Sequence, residues 1–386
     1  MTKLSIIFTT NHADTLGNAN RLEMAKFLSR HFKTTVFTNQ FEFINKHFPH
    51  CEVKQLETKK GKLPFISDVF YWKSIAKEIN SIDCDAVFMA YSTSPVAIWL
   101  NKPVFQYIHQ YGRRSKKSGN ILKELKRSFS EWFSEWFFFG GMKNSKINFA
   151  VSQLIIDFFR KKGVPNLVLN PHAMDINKYQ QPLLTQEHDY LKKLKEEEYF
   201  IAAYTGWTTI DRGFYLMLDA IRYATEEDKK VILAIAGADD EFTQKIKSYT
   251  MQYKLENNIV NFGVVDVSII PGILHYADVC ISFWDKLPGH IYAPPQKVIE
   301  YFAAGKPVLC NDIQTHELYV TNGINGLLLN YDAKVLADTL LKLKNNPEKL
   351  KTMSQNALEE AYKYDINNVY GNMVKRINEQ LNEHKN

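Results

Sequence analysis

A doubly wound α/β fold in two halves is the architecture this sequence predicts, on three observations. Short apolar runs alternate with segments of helical periodicity along nearly the whole chain, the mark of parallel sheets with helices on both faces. The alternation runs twice, and a polar, Lys/Glu-rich stretch from Gln181 to Glu198 separates the two series. The chain has 386 residues, enough for two domains of this kind.

The first series opens on the run Leu4–Thr9. A helical pattern follows from Asn18 to Arg30, in which Ala19, Leu22, Ala25 and Leu28 recur at helical spacing. Further strands are predicted at Thr35–Thr38, Ala86–Ala90, Val104–His109 and Ile147–Val151, and the turn-like Asn170-Pro171-His172-Ala173 ends this half. Gln181 to Glu198 reads as a linker or an exposed helix. The second series predicts strands at Phe200–Thr205, Val231–Ala236, Ile259–Phe262, Val279–Phe283, Val308–Asn311 and Gly326–Leu329, with helices between them. Beyond Lys334 the pattern is helical, with a break near Tyr364-Asp365. The expected domains are therefore 1–180 and 181–364, with a terminal helix over 365–386. Ligands of such folds bind at the carboxyl ends of the strands.

Composition narrows the class. Apolar residues make up 45% of the chain, so a large core can form, and the net charge of +6 is too small to argue for nucleic acid. It suits anionic substrates or an anionic membrane surface. Cys51, Cys84, Cys280 and Cys310 are widely spaced and form no CxxC, which predicts reduced thiols rather than a disulfide framework or zinc site. The first residues enter a strand pattern directly and no apolar run has spanning length. The expected location is cytoplasmic, either soluble or peripheral at the inner membrane face.

Two segments of the second half carry the chemistry. Ala293 to Leu309 reads as a Pro-rich loop, a short helix, a stop at Gly305 and, after Pro307, a new strand. Glu300 falls in the first turns of that helix, where a carboxylate can accept hydroxyl donors while free backbone N–H groups hold an anion. Directly after the strand Phe200–Thr205 comes Gly206-Trp207-Thr208-Thr209-Ile210-Asp211-Arg212-Gly213. Gly206 permits a sharp turn and close backbone approach, and Arg212 sets a forked cation near the next helix start. A diphosphate rewards that combination.

These residues resemble the donor-binding motifs of the retaining glycosyltransferases of family 4, which have the GT-B fold: two Rossmann-like domains facing each other across a cleft. The resemblance covers Tyr199 to Tyr364 and is echoed by Gly305-Lys306-Pro307-Val308 and Asn322-Gly323-Ile324-Asn325-Gly326. It implies transfer of a sugar from a nucleotide-diphosphate sugar to a hydroxyl acceptor, a glycan or lipid-linked oligosaccharide in polysaccharide biosynthesis, by a hexosyltransferase-type enzyme. Arg212 would contact the donor diphosphate, and Phe262 and Gly263 would line the nucleobase pocket. The family's two glutamates are separated by seven intervening residues. Here the first is replaced by Tyr292, and Pro295-Gln296-Lys297 matches a variant loop of the family. Main-chain groups about Ala293, together with His290, Tyr292 or Lys297, would then hold the sugar and the departing phosphate. Trp207 stands where many members have a second Arg. In the first half, Gly17 lies in a glycine turn where the backbone can approach a donor phosphate or sugar, and His109 lies at a strand end, where the resemblance implies that it positions the donor sugar or the acceptor.

The resemblance further implies front-face attack with retention, Arg212 and Lys297 stabilising the departing charge. No metal and no cofactor is expected. The one Asp-x-Asp, Asp83-Cys84-Asp85, leads into a strand and does not read as a metal site. A nucleotide-sugar 2-epimerase of the same fold and a degenerate, non-catalytic sugar-nucleotide- or glycan-binding subunit remain open. So does the stretch 113–139. A basic loop, Gly112 to Lys117, precedes Phe129, Trp132, Phe133, Trp136 and Phe137 on one helical stripe. The stripe packs on the first sheet or touches a membrane surface.

Overall fold

The computed structural model describes residues 2–9, 19–56, 64–109, 111 and 121–383. The chain divides into two compact units, Met1–His172 with Val369–Asn386, and Ala173–Asn368.

The first unit is built on a seven-stranded parallel sheet. Its strands are β1 (Lys3–Phe8), β2 (Lys33–Thr38), β3 (Glu52–Gln55), β4 (Ala86–Ala90), β5 (Val104–Ile108), β6 (Ile147–Ala150) and β7 (Leu167–Leu169), in spatial order 3-2-1-4-5-6-7. Strands β4 and β5 are buried at every residue, as expected for central strands covered on both faces. The two strands without a counterpart in the sequence reading, β3 and β7, are the sheet edges. The helix Ile366–Asn382 returns the chain to this unit. There the Tyr370 hydroxyl donates to Asn20 Oδ1 at 2.6 Å, and the Tyr370 ring packs edge-on to Phe27. Of the Asp-x-Asp pair, Asp85 accepts the Lys3 backbone N–H at 2.8 Å and Asp83 pairs with the Lys3 ammonium.

The second unit has six parallel strands: β8 (Phe200–Thr205), β9 (Val231–Ala236), β10 (Ile259–Asn261), β11 (Val279–Ser282), β12 (Val308–Asn311) and β13 (Gly326–Leu329), in spatial order 10-9-8-11-12-13. Alternation along each strand feeds two cores. Phe200, Ala202 and Tyr204 of β8 and Val231, Leu233 and Ile235 of β9 face one of them. Ile201, Ala203, Ile232, Ala234 and Ala236 face the other. The order reverses at β8, where β11 leaves on the opposite side from β9. A strand-order reversal opens a crevice at the carboxyl ends of the strands.

Two boundaries differ from the sequence reading. The second unit begins at Ala173, because Ile176 and Tyr179 are buried in its core. The stretch Gln181–Glu198, read as a linker or an exposed helix, is helical in part but not exposed throughout. It forms the helix Asp189–Glu196, which buries Leu191 and Leu194 in the same core, while His188 just before it is buried and bonds through Nε2 to the Ile269 carbonyl at 3.0 Å. All four cysteines are free, and Cys84, Cys280 and Cys310 are buried. Among the described residues no helix is long and apolar enough to cross a membrane.

Candidate nucleotide-sugar site

The strand exits around the β8 reversal converge on one polar cluster. After β8 the chain turns through Gly206, whose amide donates to the Ala236 carbonyl at the end of β9 (2.9 Å). Two residues on, Thr208 N–H donates to the Gly237 carbonyl at 3.2 Å, and Gly237 N–H donates to the Gly263 carbonyl beyond β10 at 2.6 Å. Three loops are therefore tied edge to edge by their backbones. A fourth tie comes from the helix Gln296–Ala303: the buried Tyr301 hydroxyl accepts the Thr205 backbone N–H at 2.9 Å.

That helix carries Lys297 and Glu300. Pro295 precedes it and no side chain caps its N-terminus, so its first N–H groups are open to a ligand. Lys297 is 8% exposed; its ammonium lies 3.6 Å over the Tyr204 ring and has no hydrogen-bond partner. Burial pushes its pKa well below the usual lysine range. Arg212 pushes the same way, and Glu300 opposes both. A side chain on Gly206 would sit 3.5 Å from that ammonium, so the absence of one leaves the approach open. The Thr208 and Thr209 hydroxyls of the same turn are likewise buried without partners. A buried cation and two buried hydroxyls left unpaired are costly unless something else satisfies them.

Around this centre the other predicted residues take distinct places. Arg212 donates to the Trp207 carbonyl at 3.3 Å and lies 5.4 Å over the Trp284 ring. Trp207 thus orients Arg212 through its backbone while its side chain is half exposed. His290 packs against Trp284 with ring centres 4.8 Å apart and planes tilted by 47°, bonds through Nδ1 to the Asp285 carbonyl at 2.8 Å, and reaches Asp211 at 3.1 Å through Nε2. Glu300 is partly covered and accepts from Gln296 Nε2 at 3.1 Å. Burial raises its pKa, against the pull of Lys297 and Gln296. Tyr292 and Ala293 are partly buried in the loop before the helix. Phe262 and Gly263 follow β10, Phe262 packing on the core and Gly263 N–H bonding Asn261 Oδ1 at 3.0 Å. Beside His290 a cavity of about 350 Å³ is lined by Asp285, Ile291, Asp312, Thr315 and Glu317 among others. The buried Thr315 hydroxyl has no partner there, and the neighbouring Asp312 carboxylate, which accepts a hydrogen bond from protonated Glu317, raises the Glu317 pKa. Such a wall suits hydroxyl groups.

His109 belongs to the first unit, at the carboxyl end of β5. Its Nδ1 is buried without a partner. Burial, with Arg21 and His172 nearby, lowers its pKa to about 3, so the ring is neutral. Arg21 is itself buried, which lowers its pKa to about 10. Gly17 lies outside the described residues. Sequence reasoning missed Gly237, Trp284 and Tyr301 as parts of the site. Only Gly237 carried a local signal, a glycine at a strand exit. Trp284 and Tyr301 become site residues through contacts distant in sequence.

Residues 186–360 match the family model described as "Glycosyl transferases group 1". Among curated proteins, the chain is 22% identical over 267 residues to a chitobiosyldiphosphodolichol beta-mannosyltransferase of Candida albicans, a match over 68% of this chain and 54% of that one. The chain thus spans about half the length of this relative. Among solved structures, Anabaena Alr3699/HepE in complex with UDP and glucose aligns with TM-score 0.74 at 15% identity, over 98% of this chain and 100% of that one. Sucrose-phosphate synthase from Thermosynechococcus elongatus aligns with TM-score 0.74 at 15% identity over the whole of both chains. At such identities the likeness speaks for the fold. Together with the two doubly wound sheets, these matches give the chain the GT-B fold and place residues 186–360 among the glycosyl transferases group 1.

Proposed function

We propose that the protein transfers a sugar from a nucleoside-diphosphate sugar to a hydroxyl of a glycan or lipid-linked oligosaccharide. The observation that carries this reading is the Lys297 ammonium, buried beside Gly206 and bonded to nothing. A diphosphate supplies the charge and the acceptors that Lys297, Thr208, Thr209 and the open helix start lack. Arg212 adds a second cation from the next turn. Glu300, one helical turn beyond Lys297, accepts hydroxyls of the nucleotide sugar, and the loops at Phe262 and Gly263 receive the base.

In this reading the bond from the anomeric carbon to the diphosphate oxygen breaks as the bond to the acceptor oxygen forms. The acceptor proton passes to the departing diphosphate, whose charge Lys297 and Arg212 hold. These two cations provide the charge stabilisation that a metal supplies elsewhere, so transfer is expected to persist in a chelator. His109, neutral at physiological pH, would position the acceptor. We read the transfer as retaining. The Candida relative's name gives a second reading, because a β product from an α-linked donor is inversion. The anomeric configuration of the product, read by NMR coupling constants, decides between the two.

The founding experiment is thermal unfolding with UDP, GDP and ADP, without metal, on wild type and Glu300→Ala. A diphosphate at about one hundred times its Kd stabilises the folded state by about 2.7 kcal/mol. One of the three is expected to do so, with most of the shift gone in Glu300→Ala. Absence of any shift at millimolar concentration would remove the transferase reading and leave a degenerate binding protein.

A further inference from the structure

The second unit carries a groove that the transfer reading does not use. The helices Phe214–Glu227 and Asp240–Tyr253 follow β8 and β9, and between them lies a cavity of about 290 Å³. Tyr215 lines it from the first helix, and Gln244, Lys245, Ser248, Tyr249 and Gln252 line it from the second. Gln244, Ser248 and Gln252 are exposed and stand four residues apart, so they form one row along the helix, with Lys245 and Tyr249 in the row beside it. The Tyr249 hydroxyl crosses to the first helix and donates to Asp219 Oδ1 at 2.5 Å, which ties the two helices and holds the ring in place. Tyr215 is 43% exposed, and the exposed Tyr253 packs on Tyr249 with ring centres 4.6 Å apart.

The charges of these walls are answered within the protein. The Lys245 ammonium pairs with Glu241 at 2.5 Å. Arg222 lies 3.4 Å from Asp219 and 3.7 Å from Glu226, and its guanidinium sits 5.0 Å over the Tyr253 ring. What the groove offers a ligand is therefore uncharged: tyrosine faces, two planar amides and a hydroxyl. Each amide presents a donor and an acceptor side by side, the complement of two neighbouring hydroxyls, and a tyrosine ring presents an apolar face with a polar tip. A sugar unit matches both, with a C–H face and a rim of hydroxyls. A nucleic acid or a phosphorylated ligand would call for cations not already paired, and a protein partner for a wider apolar patch. The volume stands at the lower end of small-molecule sites, about 300–1,000 Å³, which suits a short stretch of glycan.

We propose that this groove binds uncharged sugar units of a glycan, at a place separate from the donor site. Calorimetric titration of the full chain with maltopentaose, mannopentaose and the pentamer of N-acetylglucosamine, without nucleotide, tests it. At least one of these is expected to bind with a Kd of about 0.1–1 mM. Tyr215→Ala/Gln252→Ala is expected to bind it about tenfold more weakly, with an unchanged circular dichroism melt, since both side chains are exposed. Binding by wild type is expected to persist when UDP, GDP or ADP is present. No saturable binding of any of the three sugars at about 10 mM, or equal binding by the double variant, would overturn the proposal. So would displacement of the oligosaccharide by a nucleoside diphosphate, which would assign the sugar to the donor site. The inference does not rest on the transferase reading. A protein that ignores all three diphosphates and still binds the oligosaccharide through Tyr215 and Gln252 fails that reading and keeps this one.

Discussion

Lys297→Met is expected to lower kcat by about 10²–10³-fold and to leave the empty protein at least as stable as wild type. The two halves of this expectation share one cause. The ammonium is 8% exposed, sits against the Tyr204 ring and makes no hydrogen bond. In the empty site it is a liability, because a buried charge without a partner opposes folding, whereas methionine fills nearly the same volume without charge. In the proposed donor complex it would face the group that gains charge as the sugar leaves. The sign of the pH dependence follows from the direction of its pKa. Burial and Arg212 hold the pKa below 10.5 in the folded protein. The unfolded chain therefore binds more protons between that depressed value and 10.5, and stability rises with pH through this window. Methionine removes that slope. A diphosphate has the opposite effect on the pKa, raising it toward the usual range. Binding is then coupled to proton uptake and weakens as pH climbs above the depressed pKa. Calorimetric titration in buffers of different ionisation enthalpy measures the uptake directly. A variant with kcat within a few-fold of wild type, or a wild type that binds diphosphate without taking up a proton, would show that Lys297 does not face the phosphates.

How much of this could be read in advance depended on whether a residue's role was local. Strands β4 and β9 are apolar throughout, β8 is so up to its last residue Thr205, and all three are buried at every position, so their runs stand out in the sequence. The edge strands do not. Glu-Val-Lys-Gln of β3 and Leu-Val-Leu of β7 are short, partly exposed and paired on one side only, so neither selects a recognisable pattern. In Gln181–Glu198 the density of Lys and Glu masked Leu191 and Leu194, whose spacing of three sets both on the buried face of one helix. The site divides the same way. Lys297 and Glu300 were legible because a Pro-rich loop followed by a helix start is a local arrangement, and Gly206 with Arg212 because a strand exit is. Trp284 was not, since it acts by lying under Arg212, which the exit of β8 contributes, and beside His290 of its own loop. The aromatic stripe of the helix Ile121–Lys143 was legible as a stripe and not as a surface. Neighbouring residues on a helix are about 100° apart, so Phe133 and Phe137 can pack on each other while Trp132 and Trp136 face out, and sequence spacing does not say which edge turns inward.

Gly237 is the clearest case of a demand that arises from elsewhere in the fold, and its replacement has the largest expected effect on stability. Gly237→Ala is expected to destabilise the second unit by more than about 3 kcal/mol and to abolish the diphosphate-induced thermal shift. Two penalties coincide at this residue. Its φ of +112° lies where side chains are rarely tolerated. A Cβ there would also fall 2.2 Å from the Gly206 carbonyl oxygen and 2.6 Å from its carbon, both backbone atoms that cannot rotate away. Relief requires the β8 and β9 exits to part. Parting them breaks the bonds from Thr208 N–H to Gly237 and from Gly237 N–H to Gly263, and moves Gly206 away from Lys297. Gly323→Ala separates the two penalties. Its φ is +79°, yet a Cβ there would meet nothing within 4 Å, so only the conformational term of about 1 kcal/mol remains. Urea unfolding of both variants, followed by titration with the diphosphate that stabilises wild type, gives the comparison. If Gly237→Ala unfolds within about 1 kcal/mol of Gly323→Ala and still binds, the close approach of the β8 and β9 exits is not what shapes the site. If it is much less stable and no longer binds, the phosphate-side geometry depends on two strands meeting where neither can carry a side chain.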